Sequence, residues 1–154
     1  DLVQKPFAPG IFPRSSFDVI TMWDVIEHFT NPLKQIKNVF SYLKPGGVFA
    51  LTTVDPESLL ARAMGSRWPW YMEMHRIFFS QTTLRRYLQE AGFSRIKFYP
   101  HTRYLSAGYL ATRLVAIHPG LSQVALFVSR LSNFSNKSVL YYANDLYDCY
   151  AFKK

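Results

Sequence analysis

Two short β-prone runs, separated by a helical stretch with a marked start and a hard stop, constrain this chain most. Phe17-Asp18-Val19-Ile20-Thr21-Met22-Trp23 is mostly apolar and rich in β-formers. It reads as a strand buried on both faces, as in a parallel sheet. Asn31-Pro32 then starts a helix, with Asn as N-cap and Pro in the first turn. Leu33, Ile36, Val39, Phe40 and Leu43 fall on one face of it. Lys44-Pro45-Gly46-Gly47 ends it sharply, and Val48 to Val54 forms a second strand. Strand, helix, stop and strand within residues 17–54 make a βαβ unit, whose strands run parallel through a right-handed crossover.

The rest of the chain extends this unit. Residues 1–16 read as loop, broken by Pro6, Pro9-Gly10 and Pro13. Asp55-Pro56-Glu57 starts a helix that runs to about Met64, with Gly65 as terminator. Residues 66–79 are irregular and aromatic, holding Trp68, Trp70, Tyr71, Phe78 and Phe79 with His75 among them. Ser80 caps a helix carrying Leu84, Tyr87, Leu88 and Ala91, and Gly92 closes it. Arg95 to His101 is a strand, with Pro100 at its end or on an edge. Leu105–Ile117 and Leu121–Phe134 read as two amphipathic helices, and Tyr147 to Lys153 as a last strand. The expectation is one α/β domain over residues 1–154, with 102–144 as a helical insertion or lid.

Charge and cysteine content narrow the function classes. The formal net charge is +8, and from Ala91 to Asn144 there is no acidic residue against six basic ones. Those six are too sparse for a nucleic-acid footprint, and no nucleic-acid-binding signature accompanies them, so no specific nucleic acid is expected. A basic, aromatic segment also suits an anionic surface, which makes peripheral membrane contact through residues 105–134 one reading. A packed helical insertion is the plainer one. The single cysteine, Cys149, excludes an internal disulfide and fits a reducing, cytoplasmic setting. No His/Cys cluster has structural-zinc spacing, and no metal is expected. The chain starts at Asp1, which suggests a piece of a longer protein.

The run Phe17 to His28, with Asp24-Val25-Ile26-Glu27-His28 at its end, then Asn31-Pro32-Leu33, then Leu43-Lys44-Pro45-Gly46-Gly47, resembles class I S-adenosylmethionine-dependent methyltransferases. The similarity is greatest to small-molecule enzymes of the ubiquinone-biosynthesis type. Phe79-Ser80 with Thr83-Leu84, followed by Ala91-Gly92-Phe93, resembles a later segment of the same family, and Asp148 to Lys154 resembles its final strand. The resemblance implies a partial Rossmann-like sheet, strands four to seven of the family, mostly parallel with an antiparallel last strand. It implies S-adenosylmethionine as cofactor and a small or amphipathic acceptor, with oxygen favoured as the methylated atom. The family holds the cofactor's methionine portion at a Gly-x-Gly loop, and this chain contains no Gly-x-Gly. The 154 residues by themselves are therefore expected to bind the cofactor weakly or not at all. The strand at 17–23, lacking a neighbour, is expected to be an open edge that self-associates. The alternative to an enzyme is a non-catalytic module acting through that edge, a partner or a membrane surface.

By the same resemblance, Trp23, Asp24, Val25 and His28 line the cofactor at the carboxyl end of the first strand, with Asp1 and Leu2 on its adenine side. Ligands bind at such strand ends in open α/β sheets. Trp68, Tyr71 and Phe79 are the candidate acceptor wall. His75 is the candidate residue to take a proton from a hydroxyl acceptor. Glu27 is expected to serve a solvent or helix-start role.

Overall fold

The structure is a computed structural model and describes residues 2–108 and 137–154. The expected βαβ unit is present. Strand β1 (Phe17–Trp23) leads through a single 3-10 turn at Ile26–His28 to helix α1 (Pro32–Tyr42), and then to strand β2 (Leu43–Val54). The Asn31 side chain accepts from the Lys34 N–H at 3.0 Å, which is the N-cap bond that the Asn-Pro pair predicts. β1 and β2 pair in parallel, from Val19 opposite Val48 to Trp23 opposite Thr52. Gly47 sits where an added Cβ would come within 2.9 Å of the Lys44 carbonyl, so the turn into the buried part of β2 needs a bare backbone there.

Helix α2 (Leu59–Met64) starts later than the sequence suggested, with Ser58 rather than Asp55 as its cap. Helix α3 (Gln81–Glu90) has the expected Ser80 cap, and Gly92 closes it at φ +108°. Strand β3 (Arg95–Pro100) follows, then β4 (Arg103–Ser106), β5 (Ser138–Tyr141) and β6 (Leu146–Phe152). The main sheet has the order β1-β2-β6-β3, with β6 antiparallel to both neighbours. This is the mostly parallel sheet with an antiparallel last strand that the resemblance implies.

β4 and β5 form a separate antiparallel pair. Leu105 and Ser106, read from sequence as the start of a helix, are therefore strand residues, because their partners Val139 and Ser138 lie more than thirty residues ahead and leave no local signal. Ala107 and Gly108 are helical as expected, and residues 109–134 of the two expected amphipathic helices, with the lid and membrane-surface readings, lie outside the described residues. Among the described residues, no helix is long and apolar enough to cross a membrane.

The core lies between α1, α3 and one face of the sheet, where Ile36, Val39, Phe49, Leu51, Leu84, Leu88 and Cys149 are buried. β2 is central and is buried continuously from Phe49 to Val54. β1 departs from the expectation of burial on both faces. Met22 is buried, but Val19 is 55% and Trp23 50% exposed. Alternation explains it: Ile20 and Met22 point to the main core, whereas Val19, Thr21 and Trp23 share the opposite, exposed face.

Candidate functional site

The site is built where β1 ends. Trp23 is the last strand residue, and the backbone N–H of Asp24 still bonds to the Thr52 carbonyl at 3.2 Å. Asp24 then adopts φ +51°, a left-handed conformation that aspartate tolerates better than bulkier side chains. This turns the chain out of the sheet and leaves the Trp23 indole half-exposed. Arg103, from β4, reaches across to the Asp24 carboxylate at 3.3 Å, and its guanidinium lies 5.6 Å from the centre of the Trp70 ring. The turn after β1 is thereby tied both to the β4–β5 pair and to the aromatic segment.

The short 3-10 turn after Val25 points two ionisable side chains the same way. Glu27 is 1% exposed, so its expected solvent role is corrected. It does sit at a helix start, but the turn faces inward over Thr53 of β2. Its Oε2 accepts from the Thr53 hydroxyl at 3.1 Å, whereas its Oε1 is buried with no hydrogen-bond partner. Burial pushes its pKa up, against smaller opposing effects from its own backbone N–H and the Thr53 hydroxyl.

His28 is half-buried, and its Nδ1 lies 2.9 Å from the Met74 carbonyl. That contact places the proton on Nδ1 and leaves the lone pair on Nε2. His75 is 9% exposed, its ring is centred 5.0 Å from that of His28, and its Nδ1 is buried without a partner. The pKa of His75 is lowered, first by burial and then by His28. Ligand atoms of Glu27, His28 and His75 all lie within 4.8 Å of one another. Neither the carboxylate nor the pairing of the two imidazoles was legible locally, since 47 positions separate the histidines.

The aromatic segment divides into two parts. Trp68 and Phe79 are fully buried, Trp68 in a small second core with Val54 and Leu146, and Phe79 in the main core. The Trp68 indole N–H donates to Asp145 at 3.1 Å, and the Phe79 carbonyl accepts from the Tyr147 hydroxyl at 2.9 Å. Tyr71 is exposed, edge-on to both Trp68 and Phe78, and Phe78 in turn lies 5.8 Å from the His75 ring. The structure thus gathers Tyr71, His75 and His28, while Trp68 and Phe79 offer no open surface. Val25 is partly buried against the main core. Leu2 is exposed, and Asp1 lies outside the described residues. The sequence reading missed Arg103 and Asp145; the signal for Asp145 is an acid set among aromatic residues, one it shares with Asp148.

Comparison with known proteins decides the family. The methyltransferase domain family matches residues 4–97, more than half of the chain. This chain belongs to that family. Among curated proteins, the domain is 29% identical over 107 residues to a biotin biosynthesis bifunctional protein of Teredinibacter turnerae, covering 68% of this chain and 18% of that one. An S-adenosylmethionine-dependent methyltransferase of Thermotoga maritima shares its fold with a TM-score of 0.56 and 23% identity, over 92% of this chain and 58% of that chain. Another from Archaeoglobus fulgidus gives 0.55 at 15% identity, over 92% and 61%. A Haemonchus contortus phosphoethanolamine N-methyltransferase, solved with S-adenosylmethionine, gives 0.51 at 16% identity, over 92% and 34%. The methyltransferase domain therefore spans about a fifth of the curated relative and between a third and two thirds of these structures.

The Thermotoga maritima neighbour is an S-adenosylmethionine-dependent enzyme, and the Haemonchus contortus one was solved with S-adenosylmethionine bound. At the end of β1 the Trp23 indole is half-exposed, and Asp24 beside it takes a left-handed conformation.

Proposed function

We propose that the protein containing this domain transfers the methyl group of S-adenosylmethionine to a small or amphipathic acceptor, with oxygen as the methylated atom. The observation that supports this most is the half-exposed Trp23 at the carboxyl end of a parallel strand, followed by the left-handed turn at Asp24. When bound, the cofactor supplies a methyl group already activated on a sulfonium centre. The residues here bind and orient. Trp23 stacks against the cofactor, Arg103 holds the Asp24 turn in place, and Tyr71 with Phe78 forms an apolar wall beside the histidines. Alignment of donor and acceptor is then the main contribution to rate.

Calorimetric titration with S-adenosylhomocysteine tests the reading. The 154 residues by themselves are expected to give little heat, because they contain no Gly-x-Gly. A longer protein carrying the same chain is expected to bind at about micromolar Kd, roughly −8 kcal/mol, and Trp23→Ala to weaken it about tenfold. Tight binding by the 154 residues alone overturns the incomplete-pocket reading. No binding by the longer protein overturns the enzymatic one.

The second reading, a non-catalytic module, is favoured by the position of β1 at the edge of the sheet among the described residues. An exposed, apolar strand edge is a template for pairing with another strand. Sedimentation of the 154-residue chain is expected to show dimers or larger species, and a monomer with an ordered β1 would remove this reading.

A further inference from the structure

We propose that Glu27, His28 and His75 form a binding site for one divalent transition-metal ion of the zinc or cobalt class. Three observations converge. The ligand atoms of the three residues already lie within 4.8 Å of one another. Two of the atoms, Glu27 Oε1 and His75 Nδ1, are buried and lack any hydrogen-bond partner, a costly arrangement for polar groups in a folded core. Two of the three side chains are also held from behind: Thr53 donates to Glu27 Oε2, and His28 Nδ1 contacts the Met74 carbonyl.

Such outer contacts fix the tautomer and direction of metal-binding side chains. They leave Nε2 of His28 and Oε1 of Glu27 able to converge with the unpartnered Nδ1 of His75. Two imidazoles and one carboxylate suit zinc, cobalt or iron rather than calcium or magnesium, which prefer all-oxygen sites. Bonds of about 2.1 Å place ligand atoms roughly 3.4 Å apart, so side-chain rotations that close the cluster by up to about 1.4 Å complete the site. Three protein ligands leave at least one coordination position open. His75 is then a ligand, and not the free proton acceptor that its isolated place in the sequence suggested. The proposal does not rest on the methyltransferase reading, since metal binding is measured with neither cofactor nor acceptor.

The test is titration of the chelator-treated protein with Zn2+, and with Co2+ followed by its visible d–d absorption. One equivalent is expected to bind, with a Co2+ spectrum showing nitrogen and oxygen ligation. Glu27→Gln and His75→Gln are each expected to weaken binding at least about tenfold. His101→Gln, whose ring pairs with Asp148 outside the cluster, is expected to leave it unchanged. Should His75→Gln fail to fold, His28→Gln, at a half-buried position, takes its place. Absence of binding at millimolar metal, or binding that Glu27→Gln and His28→Gln leave unaltered, overturns the proposal.

Discussion

Asp145 and Glu27 are both buried carboxylates, and the protein treats them in opposite ways. Asp145 is fully enclosed and fully partnered. It accepts from the indole N–H of Trp68 at 3.1 Å, from that of Trp70 at 2.8 Å and from the Tyr141 hydroxyl at 3.0 Å. The donors come from the aromatic segment and from β5, so one side chain ties both to the start of β6. Glu27 has one oxygen on Thr53 and the other on nothing. A buried polar group with all its partners stabilises and orders its surroundings, whereas a half-satisfied one is a liability that persists at sites with work to do. The contrast separates a structural knot from a candidate site only a few residues away in the aromatic segment.

The largest expected effect falls on the knot. Asp145→Ala strands two indole N–H groups and a partly buried hydroxyl, and should lower unfolding free energy by about 3 kcal/mol. Urea denaturation measures this directly, and a loss below about 1 kcal/mol would erase the difference between the two carboxylates. Gly92→Ala is next, at about 2 kcal/mol. Its φ of +108° strains any L side chain, and the new Cβ would meet Phe40 Cζ at 2.8 Å. This variant asks whether ordinary packing strain in the α3–β3 turn rivals the loss of the knot.

Trp70→Phe removes a single donor from Asp145 and should cost about 1 kcal/mol. A double-mutant cycle with Asp145→Asn reads the coupling within the knot. Glu27→Gln in metal-free protein should change stability by less than about 1 kcal/mol in either direction, because no complete network is lost. A cost as large as that of Asp145→Ala would make Glu27 a structural anchor.

Cys149 supplies a control of a third kind, a buried group that stays neutral. Burial pushes its thiol up to about 12. Its folded pKa is raised, so the protonated form is retained across the neutral and mildly alkaline range and thiolate appears only near the top of the scale. Alkylation of the native protein is therefore expected to stay slow from pH 7 to pH 9, while the urea-unfolded chain reacts faster as pH rises through the ordinary thiol range of about 8.5. Fast native reaction would show that the centre of the sheet opens.

What could be read from the sequence were the features encoded by neighbours along the chain. Asn31-Pro32, Ser80 and Gly92 carry their cap and turn chemistry within a few residues, and their bonds are where those residue types predict. The β1–α1–β2 unit followed from two β-prone runs around one helical period, because periodicity is a local consequence of which face is buried. Trp23 was legible as the end of a parallel strand for a similar reason.

The tertiary structure decided whatever depends on contacts between distant residues. Hydrogen bonding to Asp145 from 75 and 77 positions away turned Trp68 from an expected acceptor wall into core. Pairing with residues 138–141 made a strand of Leu105-Ser106. The inward tilt of one 3-10 turn buried Glu27, and the return of the chain at His75 brought a second imidazole to it. Burial and partnership are properties of the space around a side chain, and in a folded chain that space is filled mostly by residues far away in sequence.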